Sequence, residues 1–190
     1  VLTALLICSL GVQTFRFIDW ADSRRHSLTD SAEDISEILD DDAVITGPYA
    51  PTLTLESGHR HFIFAFGLER PDFNMFKRFG ITHMAVDQNN YTAAVRDYPF
   101  LRQADAIADF YFHKNQVMIY YIPPSLSGAE INYQMTNYER AFLAYNDSLY
   151  HEAIGYIDRF LKAHPKNRSG LMLRTGINSR LLLQNYSNEG

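Results

Sequence analysis

The run Ala43-Val44-Ile45-Thr46-Gly47 decides the fold, because it is a short apolar segment that ends at a glycine. Such a segment predicts a buried β-strand. Residues 81–86, Ile-Thr-His-Met-Ala-Val, form a second run of the same kind. Each run is followed by a segment that we predict to be helical, so strands and helices alternate along this part of the chain.

The other predicted elements extend this alternation on both sides. They are a short helix within residues 48–57, a strand at 61–66, a helix at 73–79 that Asp72 caps and Gly80 closes, a helix at 91–103 that Pro99 kinks or ends, and strands at 106–112 and 117–122. Alternation predicts a mainly parallel sheet with helices packed on it, to which the final tight hairpin adds an antiparallel edge. The predicted fold class is therefore α/β, a small Rossmann-like layer over residues 27–125.

The N-terminal residues give the strongest indication of location. Val1 to Phe15 contains no charged residue and is mostly apolar. The run is shorter than the roughly 20 residues that span a bilayer. We expect residues 1–26 to be the end of a transmembrane helix and a linker, with a signal-peptide core and a buried helix as alternatives. The acidic flank beyond it favours an extracytoplasmic position, periplasmic or extracellular, for the folded part.

An amphipathic helix is predicted next, because Leu28, Ala32, Ile35 and Leu39 lie on one helical face. The three aspartates 40–42 that follow are adjacent in sequence, and adjacent residues of an extended chain point to opposite faces. We therefore interpret them as a solvated turn rather than as a metal site.

The overall composition excludes some classes of protein. The net charge of −5 gives no basic face for nucleic acid, so no nucleic-acid partner is expected. The single cysteine, Cys8, excludes an internal disulfide and a cysteine-based zinc site. No cofactor is predicted, because the turn at residues 47–51 has one glycine and two prolines instead of a glycine-rich phosphate cradle.

The candidate ligand-binding residues are Glu56, His59, His61, His83 and Asp87. His59 and His61 are two residues apart on an extended segment, so their side chains would point the same way, with Glu56 nearby. No third strong metal ligand is evident from the spacing. We therefore favour ordinary surface histidines, and no metal site is predicted. His83 is interpreted as a hydrogen-bonded strand residue, and Asp87 is a candidate because it ends a strand. No catalytic residue is predicted, although a cleft that joined Asp87, His83 and Glu56 would indicate a stand-alone α/β enzyme.

Residues 134–167 match the tetratricopeptide pattern in spacing, within a helical region over residues 130–190. The matching residues are Ala141, Tyr145, Tyr150, Glu152, Ala153, Ile154, Tyr156, Ile157, Phe160, Leu161 and Pro165. A further helix is predicted over residues 168–185. One repeat cannot bury its own faces, so the unit must dock on the α/β layer, continue into further repeats, or pair with another chain.

The polar residues Asn137, Arg140 and Arg174 are the predicted contacts of the helical region with a protein or peptide partner. The prediction rests on the use of helical repeats as binding surfaces.

Residues 42–56 and 79–87, together with the apolar run and the amphipathic helix that precede them, carry a family resemblance. This pattern, over about residues 1–122, resembles the soluble domain after the final transmembrane helix of bacterial membrane glycosyltransferases related to dolichyl-phosphate-mannose protein mannosyltransferases. The resemblance implies a lipid-linked sugar donor for the whole enzyme and an accessory role for this domain. The family's catalytic carboxylate lies in an early loop between membrane helices, so no residue here inherits that role. The alternative is a membrane-anchored or exported tetratricopeptide adaptor without enzymatic activity.

Overall fold

A computed structural model describes residues 29–64, 72–112, 115–128 and 133–188, together with residue 14. Its core is a five-stranded sheet with the strand order β2-β1-β3-β5-β4. The strands are β1 (Val44–Thr46), β2 (Arg60–Phe62), β3 (His83–Asp87), β4 (Asp105–Phe112) and β5 (Asn115–Tyr121). The predicted α/β class is confirmed, and the first and third predicted strands lie where the sequence placed them.

The helices surround this sheet and continue beyond it. They are α1 (29–38), α2 (Ala50–Leu53), α3 (Asn74–Phe79), α4 (Tyr91–Asp97), a 3-10 helix (Pro99–Gln103), α5 (Pro124–Ser127), α6 (Asn137–Asn146), α7 (Tyr150–Ala163) and α8 (Arg168–Asn188). Pro99 separates α4 from the 3-10 helix, as its missing N–H and fixed φ require. Strand β2 is shorter than predicted, and the end of the predicted strand at residues 65–66 lies outside the described residues.

Four of the five strands run in the same direction, and β5 runs opposite to them. Strand β1 pairs in parallel with both β2 and β3, whereas β5 pairs antiparallel with both β3 and β4. Strands β4 and β5 form the predicted antiparallel hairpin, and β4 becomes an edge strand of the sheet. A register shift between Ala106 and Ala108 marks a bulge in that edge.

Gly47 is the residue that allows the first strand to turn toward α2. Its φ is +123°, and a Cβ built on it would overlap the backbone carbonyl oxygen of Ala85 on the adjacent strand β3. Only glycine fits a backbone approach of this kind. The glycine that ended the apolar run in the sequence is therefore required by the packing of β1 against β3.

Two apolar cores cover the two faces of the sheet. One of them packs α3, α4 and the 3-10 helix on the sheet, and its largest fully buried side chains are Phe76, Tyr98, Ile81, Met84 and Leu101. The other core runs from α1 across the sheet to α6, α7 and α8, and it includes Ile35, Ile45, Ile119, Ala141 and Ile157.

The helical region docks on the sheet, which is the first of the three ways expected for burying its faces. Helix α6 packs against β4, and α7 packs between α6 and α8. Helix α1 ties the two regions together, since the Thr136 hydroxyl donates to the Ile38 carbonyl over 2.6 Å. Ala32, Ile35 and Leu39 are buried, as their helical spacing predicted, while Leu28 lies outside the described residues.

In the part of the chain that the structure describes, no helix is both long and apolar enough to cross a membrane. The apolar run of residues 1–15, on which the anchor was predicted, lies outside the described residues except for residue 14.

Candidate functional site

A cleft of about 560 Å³ lies between α1, the β4–β5 hairpin, α6 and α8. Its apolar lining comes from Phe110 on β4, Tyr138 and Phe142 on α6, and Met172 and Leu173 on α8. Met172 is 71% exposed, although it is a large apolar side chain. An exposed methionine at the mouth of an apolar cleft is an adaptable contact, because its side chain is flexible and polarisable.

Three aspartates, Asp30, Asp34 and Asp109, and one guanidinium, Arg168, also line the cleft. Arg168 forms an ion pair with Asp30. Asp109 accepts a hydrogen bond of 3.0 Å from the Gln116 side chain. The formal charge of these four groups is −2, so the cleft favours a cationic ligand over an anionic one.

Asp34 shapes one wall of the cleft by capping α8. Its carboxylate accepts from the backbone N–H of Arg168 at 3.1 Å and of Ser169 at 2.8 Å, and from the Ser169 hydroxyl at 2.6 Å. The two N–H groups belong to the first turn of α8, where a helix offers them no internal acceptor. The N-terminus of a helix also favours a negative charge beside it. The start of α8 is thereby fixed to α1.

Tyr138 lies at the base of the cleft and is almost completely buried. Burial raises the pKa of its phenol well above the usual range, and the negative charges of Asp109 and Asp34 add to the effect. Tyr138 is therefore a neutral phenol and contributes mainly apolar surface, including a T-shaped contact with Phe160 at 5.3 Å between ring centroids.

A buried polar network joins the sheet to α6. His83 Nε2 lies 3.1 Å from Glu139 Oε1, and both side chains are fully buried. Glu139 Oε2 accepts from the Tyr133 hydroxyl at 2.9 Å and from the Thr136 N–H at 2.7 Å. Burial beside the Glu139 carboxylate raises the pKa of Tyr133 far above its usual range, so this phenol remains a donor.

His83 is the strand residue with hydrogen-bonded partners that its position suggested. Its Nδ1 lies 2.8 Å from the Thr82 hydroxyl. A proton on Nε2 allows the ring to donate to Glu139. The direction of the Nδ1 contact depends on the tautomer, because the single Thr82 hydroxyl proton is also within reach of the Val44 carbonyl, at 3.2 Å. Tyr133 packs edge-on against the imidazole, with 4.9 Å between ring centroids.

Asp87 ends β3 and organises the turn into α4. Its Oδ1 accepts from the backbone N–H of Asn89 at 3.1 Å and of Asn90 at 3.2 Å, and its Oδ2 accepts from the Asn90 side chain at 2.7 Å. A smaller cavity of about 260 Å³ lies beside it. Tyr120 lines this cavity, and burial raises its pKa to about 12.

His83 and Asp87 lie at opposite ends of β3, four residues or about 13 Å apart, so the strand separates them.

His59 and His61 form separate contacts rather than one ligand set. His59 is buried, and its Nε2 donates to the Asp40 carbonyl over 3.1 Å. His61 is exposed, and its Nδ1 lies 2.8 Å from the Thr54 hydroxyl. Glu56 is exposed on the turn between them and α2. Within the described residues, no group of three or more His, Cys, Asp or Glu is arranged to hold a metal ion.

The residues predicted to contact a partner lie on the helical region. Arg174 Nε donates to Asp158 Oδ1 over 2.7 Å, which joins α8 to α7 at the surface. Arg140 is exposed and Asn137 is half-buried, both on α6. None of the three lines the cleft, so the concave surface between helices and hairpin is a different surface from the one that we predicted from the sequence.

Sequence reasoning missed Glu139 and Asp34 as organising residues. The signal for Glu139 was present, because Thr136 and Glu139 have the spacing of a capping box, and the structure shows both of its hydrogen bonds. No comparable local pattern indicates that Asp34 caps α8, since 135 positions separate Asp34 from Ser169.

No family model, curated protein or solved structure matches this chain. The function must therefore be argued from the cleft, the buried network and the resemblance carried by the sequence.

Proposed function

We propose that this chain is a non-catalytic, extracytoplasmic accessory domain of a polytopic membrane glycosyltransferase that uses a lipid-linked sugar donor. The cleft between the β4–β5 hairpin and the helices is its binding surface for a protein or peptide. The observation that carries the proposal is the contrast between this open, largely apolar cleft and the buried candidates His83 and Asp87, whose hydrogen bonds hold the fold together.

Three candidate or network residues illustrate that contrast. His83 and Glu139 are fully buried and bind each other, and Asp87 is 1% exposed and caps a turn. A general acid or base must lie within hydrogen-bond reach of its substrate. These residues stabilise the sheet and its junction with α6, which supports a binding role for the described part of the chain.

The helical region is proposed to be a tetratricopeptide-type hairpin, α6 and α7, followed by α8 as the first helix of a second repeat. Ala141 and Ala153 are both fully buried where α6 and α7 meet, as the close approach of the two helices in such a repeat requires. The strands β1, β2 and β3 with their helices supply the Rossmann-like part. The membrane anchor and the extracytoplasmic position remain part of the proposal through the sequence resemblance.

A membrane-anchored or exported adaptor without enzymatic activity is the second candidate. The observation in its favour is the exposure of four large apolar residues on α8, namely Leu171, Met172, Leu182 and Leu183. A helix of a repeat array covers such a face with the next helix or with a partner. The adaptor would use the same binding cleft as the accessory domain, but it would belong to a protein that transfers no sugar.

The test uses the full-length protein in membrane vesicles, with radiolabelled polyprenyl-phosphate mannose as donor and a Ser/Thr-rich synthetic peptide as acceptor. Gly176→Phe places an aromatic ring in the cleft, since Gly176 is one of the lining residues. Gly155→Phe is the matched control, because a Cβ at Gly155 has no neighbour within 4 Å. We expect Gly176→Phe to raise the KM for the acceptor and to leave the KM for the donor unchanged.

The absence of any transfer by the wild-type vesicles would leave the adaptor as the better assignment. Equal acceptor KM values for wild type and both variants would show instead that the cleft is not the acceptor surface.

A further inference from the structure

Strand β4 presents a pairing edge beside the cleft. It is the last strand of the sheet, and in the described part of the chain it pairs only with β5. At its start, the Asn146 side chain donates to the Ala106 carbonyl over 3.4 Å, so α6 covers that end of the edge. Further along the strand, the consecutive residues Asp109, Phe110 and Tyr111 line the cleft. An eight-residue edge strand is long enough to pair with an added strand.

We propose that a positively charged peptide segment binds in extended form along β4, as an additional strand, with its apolar side chains in the cleft. The proposal deepens the function proposed above, because it rests on the same cleft and names the class of partner. In this mode of recognition, main-chain hydrogen bonds supply affinity and pockets for alternate side chains supply specificity.

The apolar residues of α6 and α8 that face β4 determine where the apolar side chains of the peptide would bind. Phe142 on α6 and Leu173 on α8 lie opposite β4 across the cleft, with Met172 at its mouth. Side chains of an added strand alternate between two directions, so every second residue of the peptide would point toward this wall. The peptide that fits therefore alternates apolar residues with polar ones.

The negative charge of the cleft favours a foreign peptide over a second copy of the chain as the partner of β4. Asp30, Asp34 and Asp109 outnumber Arg168 along the cleft, and the whole chain has a net charge of −5. Two copies that paired through β4 would bring two acidic clefts together, and like charges across an interface oppose association. Asp109 and Phe110 are consecutive on β4 and therefore point to opposite faces of the strand. When the apolar side chains of the peptide lie on the Phe110 side, lysine or arginine at its polar positions lies on the Asp109 side and neutralises that carboxylate.

The experiment measures fluorescence anisotropy of the purified 190-residue chain with three fluorescein-labelled heptapeptides. The first alternates lysine and valine, the second alternates glutamate and valine, and the third is the lysine peptide with a methyl group on every peptide nitrogen, since the N–H groups of alternate residues point to opposite edges of a strand. We expect the lysine peptide to bind at least about tenfold more tightly than either of the others. The N-methyl groups remove main-chain donors without changing the charge, so they test the strand pairing separately.

A pair of charge-reversal variants tests the position of the peptide. Asp109→Lys places a cation inside the cleft, whereas Asp105→Lys changes the net charge equally at an exposed position of β4 that does not line the cleft. We expect about a tenfold loss of lysine-peptide affinity for Asp109→Lys and less than about a twofold loss for Asp105→Lys. Circular dichroism of both variants verifies that each retains the fold.

Three results would overturn the proposal: equal affinities for the lysine and glutamate peptides, equal affinities for the lysine peptide and its N-methylated form, and equal losses for the two variants. A dimer in sedimentation that Asp109→Lys strengthens would assign the edge to a second copy. Because peptide binding is measured without sugar transfer, a failed transferase assay and a failed peptide assay are separate outcomes.

Discussion

His83 on β3 and Glu139 on α6 form a fully buried pair, with 3.1 Å between Nε2 and Oε1. The pair joins residues 56 positions apart in the chain and is a buried polar contact between the sheet and the helical region. Glu139 is also the capping-box residue of α6. A single carboxylate therefore sets both the start of the helix and its docking on the sheet.

Glu139→Ala is expected to destabilise the protein by about 3 kcal/mol, because it leaves two buried donors and one part-buried donor without their acceptor. Those groups are His83 Nε2, the Tyr133 hydroxyl and the Thr136 N–H. Urea titration followed by circular dichroism measures the loss. Glu152→Ala is the control, since Glu152 is exposed on α7, and its effect should stay within about 0.5 kcal/mol. Equal effects of the two changes would contradict the role of the buried network.

Asp34→Ala is expected to cost about 2 kcal/mol, at the upper end for a lost helix cap, because three donors at the start of α8 lose their acceptor. The loss should be local, so amide hydrogen exchange should accelerate in the first turn of α8 before the sheet opens. Glu33→Ala, an exposed neighbour on α1, serves as the control. Unchanged exchange in α8 would show that the cap does not limit the opening of this helix.

Gly47→Ala is expected to destabilise the fold by more than about 3 kcal/mol, since the new Cβ overlaps the Ala85 carbonyl and the φ of +123° disfavours any side chain. Gly58→Ala is the matched control, because Gly58 also has a positive φ but no atom lies within 4 Å of the added Cβ. That change should cost only about 1 kcal/mol. Thermal unfolding of the two variants gives the comparison, and a similar Tm for both would contradict the close strand approach.

The pH dependence of stability should include a contribution from His59. Burial lowers its pKa below 6.5, and the Asp40 carbonyl and the nearby aspartates offset this only in part. The unfolded state then binds a proton more readily than the folded state. His59 therefore does not affect the free energy of unfolding well above its unfolded pKa, and it lowers that free energy progressively as the pH falls below the unfolded pKa. Its Nδ1 has no partner among the described residues, so a second proton there would be buried without an acceptor.

His59→Gln should therefore lose less stability than wild type when the pH is lowered from about 7.5 to about 5. Urea titrations at the two pH values measure the difference. The exposed His151 supplies the control, and His151→Gln should follow wild type at both values. Parallel losses in wild type and His59→Gln would exclude His59 as a source of the pH dependence.

Residue types that act on their neighbours in the chain correctly predicted helix ends and buried strands. Asp72 accepts from the N–H of Asn74, Gly80 closes α3 with a φ of 66°, and Pro99 divides the helical segment after β3, as their residue types indicated. The apolar runs at 43–47 and 81–86 became adjacent parallel strands for the same reason, since each is short enough and apolar enough to be buried on both faces.

Long-range partners could not be predicted in the same way. The cleft depends on how α6 and α8 sit against β4, and that placement is set by contacts such as Asp34 to Ser169 and Thr136 to Ile38, which join distant parts of the chain. No spacing rule links such pairs in one sequence. The candidate His83 was placed correctly as a hydrogen-bonded strand residue, but its partner Glu139 required the three-dimensional arrangement.

Two glycines on adjacent helices test how tightly α7 and α8 pack. Gly155 is in α7 with open space around a built Cβ, whereas a Cβ on Gly170 in α8 would lie 2.9 Å from Phe160 Cε1 and from Leu161 Cδ2. Gly155→Ala should stabilise the protein by up to about 1 kcal/mol through helix propensity. Gly170→Ala gains the same propensity, but Phe160 is buried and cannot move freely, so overpacking should make the net effect a loss of about 1 kcal/mol.

Thermal unfolding of both variants measures these opposite shifts, with a rise in Tm for Gly155→Ala and a fall for Gly170→Ala. The double variant Gly170→Ala with Phe160→Leu separates the steric cause from other effects, because the shorter side chain makes room for the new methyl group. Adding Gly170→Ala should therefore cost less in the Phe160→Leu background than in wild type, a coupling that a double-mutant cycle detects. If the two backgrounds gave the same cost, the contact with Phe160 would not be its source.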